Sequence, residues 1–171
     1  MTTKKKSVGV QLLGKNISGE LVAILQIRSA WNAEKKCLES WPGGCQVTVH
    51  GKLKEGEDFM QALWREISEE LGTEILPAVK VLRLIELINK DNPERKIITF
   101  GAIANAEILK ILLNKPKNKT SGGFKMIKQN EVEKIADLQI FDKNFGVTDE
   151  NIIAMFPDEK EAVRMAFEKL K

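Results

Sequence analysis

The residues Gly51–Thr73, GKLKEGEDFMQALWREISEELGT, carry the strongest local signal in the chain. From Asp58 to Leu71 the apolar residues Met60, Leu63, Trp64, Ile67 and Leu71 recur at helical spacing and share one face, which predicts an amphipathic helix. Asp58 or Glu57 can cap its start by accepting the unpaired first-turn N–H groups, and Gly72 is a good C-terminal stop. Glu66, Glu69 and Glu70 stand at i, i+3 and i+4, within an arc of roughly 100° beside the apolar stripe. Burying the stripe therefore leaves these carboxylates along one side of the helix.

Like charges at i,i+4 repel by about 0.2–0.5 kcal/mol even in water. Two arrangements relieve that repulsion. One is a solvated acidic face on which Arg65 pairs with Glu69. The other is a hard divalent cation, because Mg2+ takes carboxylate oxygens, waters and substrate phosphates. The flanking residues favour the second. Gly51, Glu57, Arg65, Glu66, Ile67, Glu69, Glu70 and Gly72 fit the pattern Gly-x5-Glu-x7-Arg-Glu-apolar-x-Glu-Glu-x-Gly without a gap. In this the chain resembles the Nudix hydrolases. Thr73 departs from the family's usual aliphatic residue, and threonine can pack in its place.

The resemblance implies an α/β fold, a Nudix-type α/β/α sandwich with a mixed sheet and the box as a loop–helix–loop. It implies that Glu66, Glu69 and Glu70 bind metal, with the Gly51 carbonyl as a further ligand. Arg65 matches the arginine that orients a box glutamate, and Glu57 the acid that supports the loop. Glu66, Glu69 and Arg65 are thus the expected catalytic residues, with Mg2+ as cofactor and Mn2+ as a substitute. The implied reaction is hydrolysis of a diphosphate linked to another moiety, with metal neutralising phosphate charge and preparing a water for in-line attack. Many relatives place an extra glutamate in a loop before the final sheet strand, sometimes as general base. The matching region here, Asn114–Gly123, contains no acid. The base is then a box glutamate such as Glu66, or Glu107, Glu131 or Glu133.

Ahead of the box, Trp41-Pro42-Gly43-Gly44 is followed by Cys45–His50, where the common family form runs Pro-Gly-Gly directly into the box. This segment resembles the branch that includes isopentenyl-diphosphate isomerase and its hydrolytic relatives. The isomerase itself needs several histidine ligands and a catalytic cysteine, and this chain has only His50. Gln46–His50 alternates and predicts a short strand, with Gln46, Thr48 and His50 on one face and Cys45, Val47 and Val49 on the other. With the valines in the core, the polar trio is expected to line the substrate groove; the alternative is a merely solvated strand face. Arg28 ends a strand in a Leu-x-Ile-Arg-Ser context where relatives often bind phosphate or ribose, against a surface salt bridge. Lys52 and Lys54 can meet phosphate oxygens or simply be solvated. Cys45 and Trp64 are expected in the core, while Trp31 and Trp41 flank a loop and can stack on a base.

The rest of the chain agrees with one domain over 1–171. Its 171 residues are 43% hydrophobic and 30% charged, an ordinary balance able to build a core. No apolar run approaches the ~20 residues of a membrane span, and the basic N-terminus lacks a signal-type apolar region. Residues 1–6 are expected to be disordered. Two cysteines and one histidine make neither a disulfide framework nor a Cys/His zinc site, and the expected compartment is the cytoplasm. Further strands are expected over Ser7–Leu13, Leu21–Ile27, Val79–Ile88, Lys96–Ala106 and Phe124–Ile127. Helices are expected over Glu131–Leu138 and 157–171, and loops over Ser29–Gly44 and Asn114–Gly123.

The function so read is a Mg2+-dependent pyrophosphohydrolase of a nucleoside diphosphate derivative or nucleoside triphosphate, acting on a small molecule and not at a membrane, as a monomer or homodimer. The net charge of +3 does not itself indicate nucleic acid. An RNA 5′-end pyrophosphohydrolase would need a continuous basic path, for which Lys115, Lys117, Lys119 and Lys125 are candidates. A non-catalytic nucleotide- or protein-binding Nudix module is the other alternative, and the intact glutamates argue against it.

Overall fold

A strand flanked by helices on both faces must be apolar on both, and Lys5–Lys15 meets that condition, being buried continuously from Val8 to Gly14. This strand is the centre of the fold in a computed structural model that describes residues 4–32, 36–117 and 122–170. In chain order the elements are β1 (Lys5–Lys15), β2 (Leu21–Ile27), β3 (Trp31–Asn32), β4 (Cys37–Leu38), β5 (Cys45–Gln46), β6 (Val49–Lys52), α1 (Phe59–Leu71), α2 (Leu76–Lys80), β7 (Ile85–Asp91), β8 (Arg95–Ile103), α3 (Ala106–Leu113), β9 (Phe124–Lys128), β10 (Ala136–Asp137), β11 (Ala154–Met155) and α4 (Pro157–Lys169). Short 3-10 turns occupy Gln129–Lys134 and Leu138–Ile140.

Among the described residues, seven strands form a mixed sheet in which β1 runs parallel to β8 and antiparallel to β2 and β6. Even-numbered residues Val8, Val10 and Leu12 pack on one face with α1, α2 and α3 through Leu63, Ile67, Val79 and Ile108. Leu13, with Ala23 and Leu25, packs on the other face against α4 through Val163, Ala166 and Phe167. The result is the expected α/β/α sandwich.

The β1–β2 ladder forks. Leu12 to Lys15 pair with Leu21 to Ile24, but Ser7 to Val10 pair with β6 instead, and β5 pairs with the far end of β2. The segment Cys45–Lys52 is the wedge in that fork. At its tip the Thr48 hydroxyl accepts from Leu12 N at 2.8 Å and donates to Ile24 O at 2.7 Å, standing between two groups whose ladder has opened. The Gln11 amide donates to Ile24 O at 3.0 Å and to Leu12 O at 2.9 Å, completing a buried polar plug. Backbone groups buried without partners are costly, and these side chains supply them.

This corrects the reading of Gln46–His50 as one alternating strand. The wedge changes partner strand at Val47–Thr48, so alternation does not carry through. Cys45 and Val47 pack on the α4 face, whereas Val49 packs on the α1 face. Other boundaries also move. The basic N-terminus, expected to be disordered, already pairs from Lys5 with Arg95; residues 1–3 lie outside the description. Val79 ends in helix α2, with the strand starting at Ile85. Beyond Ile103 the chain turns into α3, capped by the Asn105 side chain on Ile108 N at 2.9 Å. In place of the helix over Glu131–Leu138 stand a 3-10 turn and β10, and the C-terminal helix spans Pro157–Lys169.

Candidate functional site

Helix α1 starts where its sequence indicates. The Asp58 carboxylate accepts from Gln61 N at 2.8 Å, and the Gln61 side chain accepts from Asp58 N at 2.9 Å, a reciprocal capping box. It stops at Gly72, whose φ of +99° disfavours any side chain. Ala62, Leu63, Ile67 and Leu71 are buried, which turns the acidic edge toward the loop Gly51–Glu57.

Arg65 organises that edge. It grips Glu57 through Nε at 2.6 Å and Nη2 at 2.8 Å, and Nη2 also donates to the Lys52 carbonyl at 2.9 Å. Its Nη1 donates to Glu66 at 2.7 Å and to Glu69 at 3.0 Å. A planar guanidinium has donors enough for all of these. The Arg65 hydrogen bonds, with one from Lys54 N, pull the Glu57 carboxyl down to about 2, so it stays charged. Lys54 reaches the outer oxygen of Glu69 at 3.3 Å.

Behind this rim lie Glu66 and Glu70. A Cβ on Gly51 would stand 1.9 Å from Glu66 Cδ, so glycine there makes room for that carboxylate. Burial holds the Glu66 carboxyl above its usual range even with Arg65 against it. Glu70 is driven well above its usual range, first by burial and then by the neighbouring Glu66 charge. The backbone N–H of His50 and the side chain of Gln26 lie close enough to oppose that shift, yet its Oε2 is buried with no hydrogen-bond partner among the described residues. A buried, unpartnered carboxylate oxygen beside a second carboxylate is a poor place for nothing at all. It suits a hard cation, and Glu66, Glu70 and the outward Glu69 are the side chains able to hold one. No three of the described acidic, His or Cys side chains converge into a ready cage, because Arg65 and Lys54 hold Glu69 at the exposed rim.

The polar trio does not share a face. Gln46 lies on the α1 side, donating from Nε2 to Gln26 Oε1 at 2.6 Å. Thr48 is fully buried in the fork and lines no groove. His50 points to the opposite face, where its Cδ2 and Val47 Cγ2 crowd the position a Gly9 Cβ would take. Burial, with Arg28 and Lys52 adding to it, lowers the His50 pKa to about 4, so the ring is neutral. The expected position of His50 beside the phosphates is therefore corrected: its backbone touches the carboxylate site and its side chain does not.

Arg28 donates to Ser40 O at 2.8 Å, Gln46 Oε1 at 3.2 Å and Glu39 at 3.1 Å, which ties the loop Ser29–Gly44 to the sheet. Lys52 is exposed near the rim. Trp64 packs on the α1 core, and the Trp41 indole donates to Phe141 O at 3.1 Å while meeting Phe156 edge-on, so neither ring is an open stacking platform. Cys45 is a core thiol, pushed up to about 11 by burial, and Cys37 is exposed; both are free.

Of the other candidate bases, Glu107 lines a surface hollow with Glu74 and Lys110. Glu131 caps its own 3-10 turn through Lys128 N at 2.7 Å, and Glu133 borders a hollow with Arg164 and Glu168. Acids interrupt the lysine path at two points, Lys117 pairing with Glu150 at 2.8 Å and Lys115 lying 3.8 Å from Glu74, while Lys125 donates to the Glu150 backbone carbonyl at 2.8 Å. Lys119 lies outside the described residues. Two groups escaped the sequence reading. Gln26 lies close to Glu70, and its signal was a lone amide in an apolar strand. Glu159, on α4, is half-buried, with its Oε2 enclosed and unpartnered, and lies against Val47 N; desolvation lifts it to about 7. Among the described residues no helix is long and apolar enough to cross a membrane.

Comparison with known proteins agrees with this geometry. No curated protein sequence matches the chain. Solved structures similar to it include a mutT/nudix family protein from Listeria innocua, 20% identical, with a TM-score of 0.64 and 99% of this chain and 96% of that one covered. An Ap4A hydrolase from C. elegans is 16% identical, with a TM-score of 0.53 and coverage of 99% and 100%. The NUDIX domain of NrtR from Shewanella oneidensis, complexed with ADP ribose, is 14% identical, with a TM-score of 0.54 and coverage of 100% and 91%. These likenesses establish the fold. The family model described as the NUDIX domain matches residues 3–156, so the chain belongs to the NUDIX family, whose members hydrolyse pyrophosphate bonds.

Proposed function

We propose that this chain is a Mg2+-dependent pyrophosphohydrolase cleaving the diphosphate linkage of a nucleoside diphosphate derivative or a nucleoside triphosphate, with Mn2+ able to substitute. The observation that carries the reading is the buried, unpartnered Oε2 of Glu70 beside Glu66. Glu66, Glu69, Glu70 and the Gly51 carbonyl would hold the cation. When bound, it would supply charge neutralisation at the phosphates and lower the pKa of a water.

The chain's own residues do the rest. Arg65 fixes the loop through Glu57 and the Lys52 carbonyl, and so holds Gly51 against Glu66. Glu66, held between Arg65 and the backbone at Gly51, is the box glutamate assigned here to accept the proton of an attacking water. Lys52 and Lys54, exposed at the rim, would meet phosphate oxygens from solvent in this reading. The NUDIX domain complexed with ADP ribose and the Ap4A hydrolase support a nucleotide-type substrate by fold likeness alone. The acid partners of Lys115 and Lys117 favour a small molecule over an RNA end. Residues 1–171 act as one domain in this reading, since α4, beyond the family match, closes one face of the sheet. The free thiols of Cys37 and Cys45 fit a cytoplasmic compartment.

The test is release of phosphate or mononucleotide from ADP-ribose, diadenosine tetraphosphate, the nucleoside triphosphates and a 5′-triphosphorylated RNA, with and without Mg2+. The proposal expects Mg2+-dependent turnover of at least one small molecule. Turnover of RNA alone would replace it with the RNA-end reading, and binding without turnover of any compound would replace it with a non-catalytic module.

A further inference from the structure

Gln26 is the one polar residue in the strand Leu21–Ile27. Its neighbours Leu25 and Ile27 pack against the α4 core, so its side chain lies on the α1 side of the sheet. On that side Ile24 is fully buried, and two residues further along the strand Gln26 is only half-buried, so the helical cover ends there. The register carries this opening across three strands, with Gln26 opposite Gln46 of β5 on one side and Phe124 of β9 on the other. Both partners are half-buried as well, and Phe124 packs on the α1 core. Strands lie about 4.8 Å apart, so the row is a floor about 10 Å across, amides at one side and an aromatic ring at the other. Gln46 belongs to the same wedge as Gly51, whose backbone lies against Glu66. The five residues between them span at most about 17 Å, which puts the floor within reach of the base of a nucleotide whose phosphates lie at the carboxylates.

The two amides are not free to turn. Arg28 Nη1 donates to Gln46 Oε1 at 3.2 Å, and Gln46 Nε2 donates to Gln26 Oε1 at 2.6 Å. A guanidinium can only donate, whereas an amide can face either way. Arg28 is itself held, through Nε on Ser40 O at 2.8 Å and Nη2 on Glu39 at 3.1 Å. It therefore draws the oxygen of Gln46, Gln46 turns its NH2 to Gln26, and Gln26 turns its oxygen to Gln46. What Gln26 turns away from the pair is its NH2 group, a donor.

We propose that Gln26 is a specificity-determining residue that donates to a ring carbonyl of a bound nucleotide, with Phe124 as the apolar side of the floor. Arg28 and Gln46 are the positioning residues that fix its polarity. The ligand so favoured carries a keto base, because an amino group at the same ring position would set donor against donor. The inference rests on the nucleotide reading given above and narrows it to a class of base.

The experiment measures the Kd of the full chain for UDP, CDP, IDP and ADP by isothermal titration calorimetry, with Ca2+ as the hard cation. UDP and CDP, like IDP and ADP, differ by a carbonyl against an amino group at one ring position. The wild type is expected to hold the keto member of a pair about tenfold tighter, the effect of one satisfied against one unsatisfied hydrogen bond. Gln26→Leu is expected to abolish the preference, and Arg28→Met to reduce it by letting both amides turn. Gln46→Glu is expected to reverse it: a glutamate accepts from Arg28 and from the Gln26 NH2, so Gln26 turns its oxygen to the base. The added charge bears on both members of a pair alike, so the ratio of the two Kd values is the readout. Combining Gln46→Glu with Gln26→Leu should leave no preference, which a direct contact of the new carboxylate with the base would not give. Equal affinity for both members of each pair in the wild type, an unchanged ratio in Gln26→Leu, or an unreversed ratio in Gln46→Glu would each overturn the proposal. If the diphosphates bind without preference, the assignment of Gln26 alone fails; if none of the four binds, the nucleotide reading fails with it.

Discussion

Replacing Thr48 by valine removes one buried hydroxyl and leaves the shape of the side chain nearly unchanged. In the structure that hydroxyl accepts from Leu12 N and donates to Ile24 O where the β1–β2 ladder has forked. The two losses are unequal. Leu12 N would be left a buried donor without a partner, at about 1–3 kcal/mol, whereas Ile24 O keeps the Gln11 amide at 3.0 Å and loses about 0.5–1.5 kcal/mol of net bonding. Thr48→Val should therefore destabilise by about 2–4 kcal/mol, or about 4–16 °C in Tm at this chain length. Thr48→Ser keeps the hydroxyl and should lose only about 1 kcal/mol for the missing methyl. Urea denaturation followed by tryptophan fluorescence measures both, read at constant m. Turnover should be unchanged in both where they are folded, since Thr48 does not reach solvent. A valine variant within about 0.5 kcal/mol of wild type, or a serine variant as unstable as the valine one, would refute the role of the hydroxyl in the fork.

The remaining expectations concern charge. Glu159 has its pKa raised to about 7, above its ordinary value, so its protonated form favours the fold; that stability is complete near pH 4.5 and is lost as pH rises through 7. Glu159→Gln should match wild type near pH 5 and exceed it at pH 8.5 by on the order of 1–3 kcal/mol in urea denaturation. His50 runs the other way: its pKa is lowered to about 4, so the fold is favoured above about 6.5 and loses stability as pH falls from there toward 4. His50→Gln should flatten that acid limb and leave KM unchanged, and a raised KM would return the side chain to the substrate groove. Saturating Mn2+ at about a hundred times its Kd should stabilise by about 2.7 kcal/mol, or about 5–11 °C, with EDTA reversing the gain. A melting curve indifferent to metal would favour a solvated acidic helix.

Helix α1 was legible because its information is local. The apolar spacing from Met60 to Leu71, the Asp58 cap and the Gly72 stop each act within a few residues, and the structure uses all of them. β2 was equally legible as an apolar run broken only by Gln26. The wedge was not. Alternation in Gln46–His50 predicts a shared face only if one strand pairs with one neighbour, and the fork that moves the chain from β2 to β1 at Thr48 is a property of the sheet. Helix α3 was missed because its start depends on Asn105 capping just where a β-rich run ends. At the site, the spacing of Glu66, Glu69 and Glu70 was plain in the sequence. That Glu69 stands at the rim with Arg65 and Lys54, while one oxygen of Glu70 is buried beside Glu66, required the packing of α1 on the sheet.

The central claim is that the carboxylates of α1 hold a catalytic cation. Its most direct test is the turnover of Glu69→Gln and Glu70→Gln at saturating Mg2+, on whichever substrate the wild type cleaves, with circular dichroism confirming the fold. Each substitution removes one charge and preserves shape, and charge stabilisation by a bound metal is worth several kcal/mol, so each variant should lose at least about a hundredfold in kcat. Near-wild-type kcat in both folded variants would contradict the account.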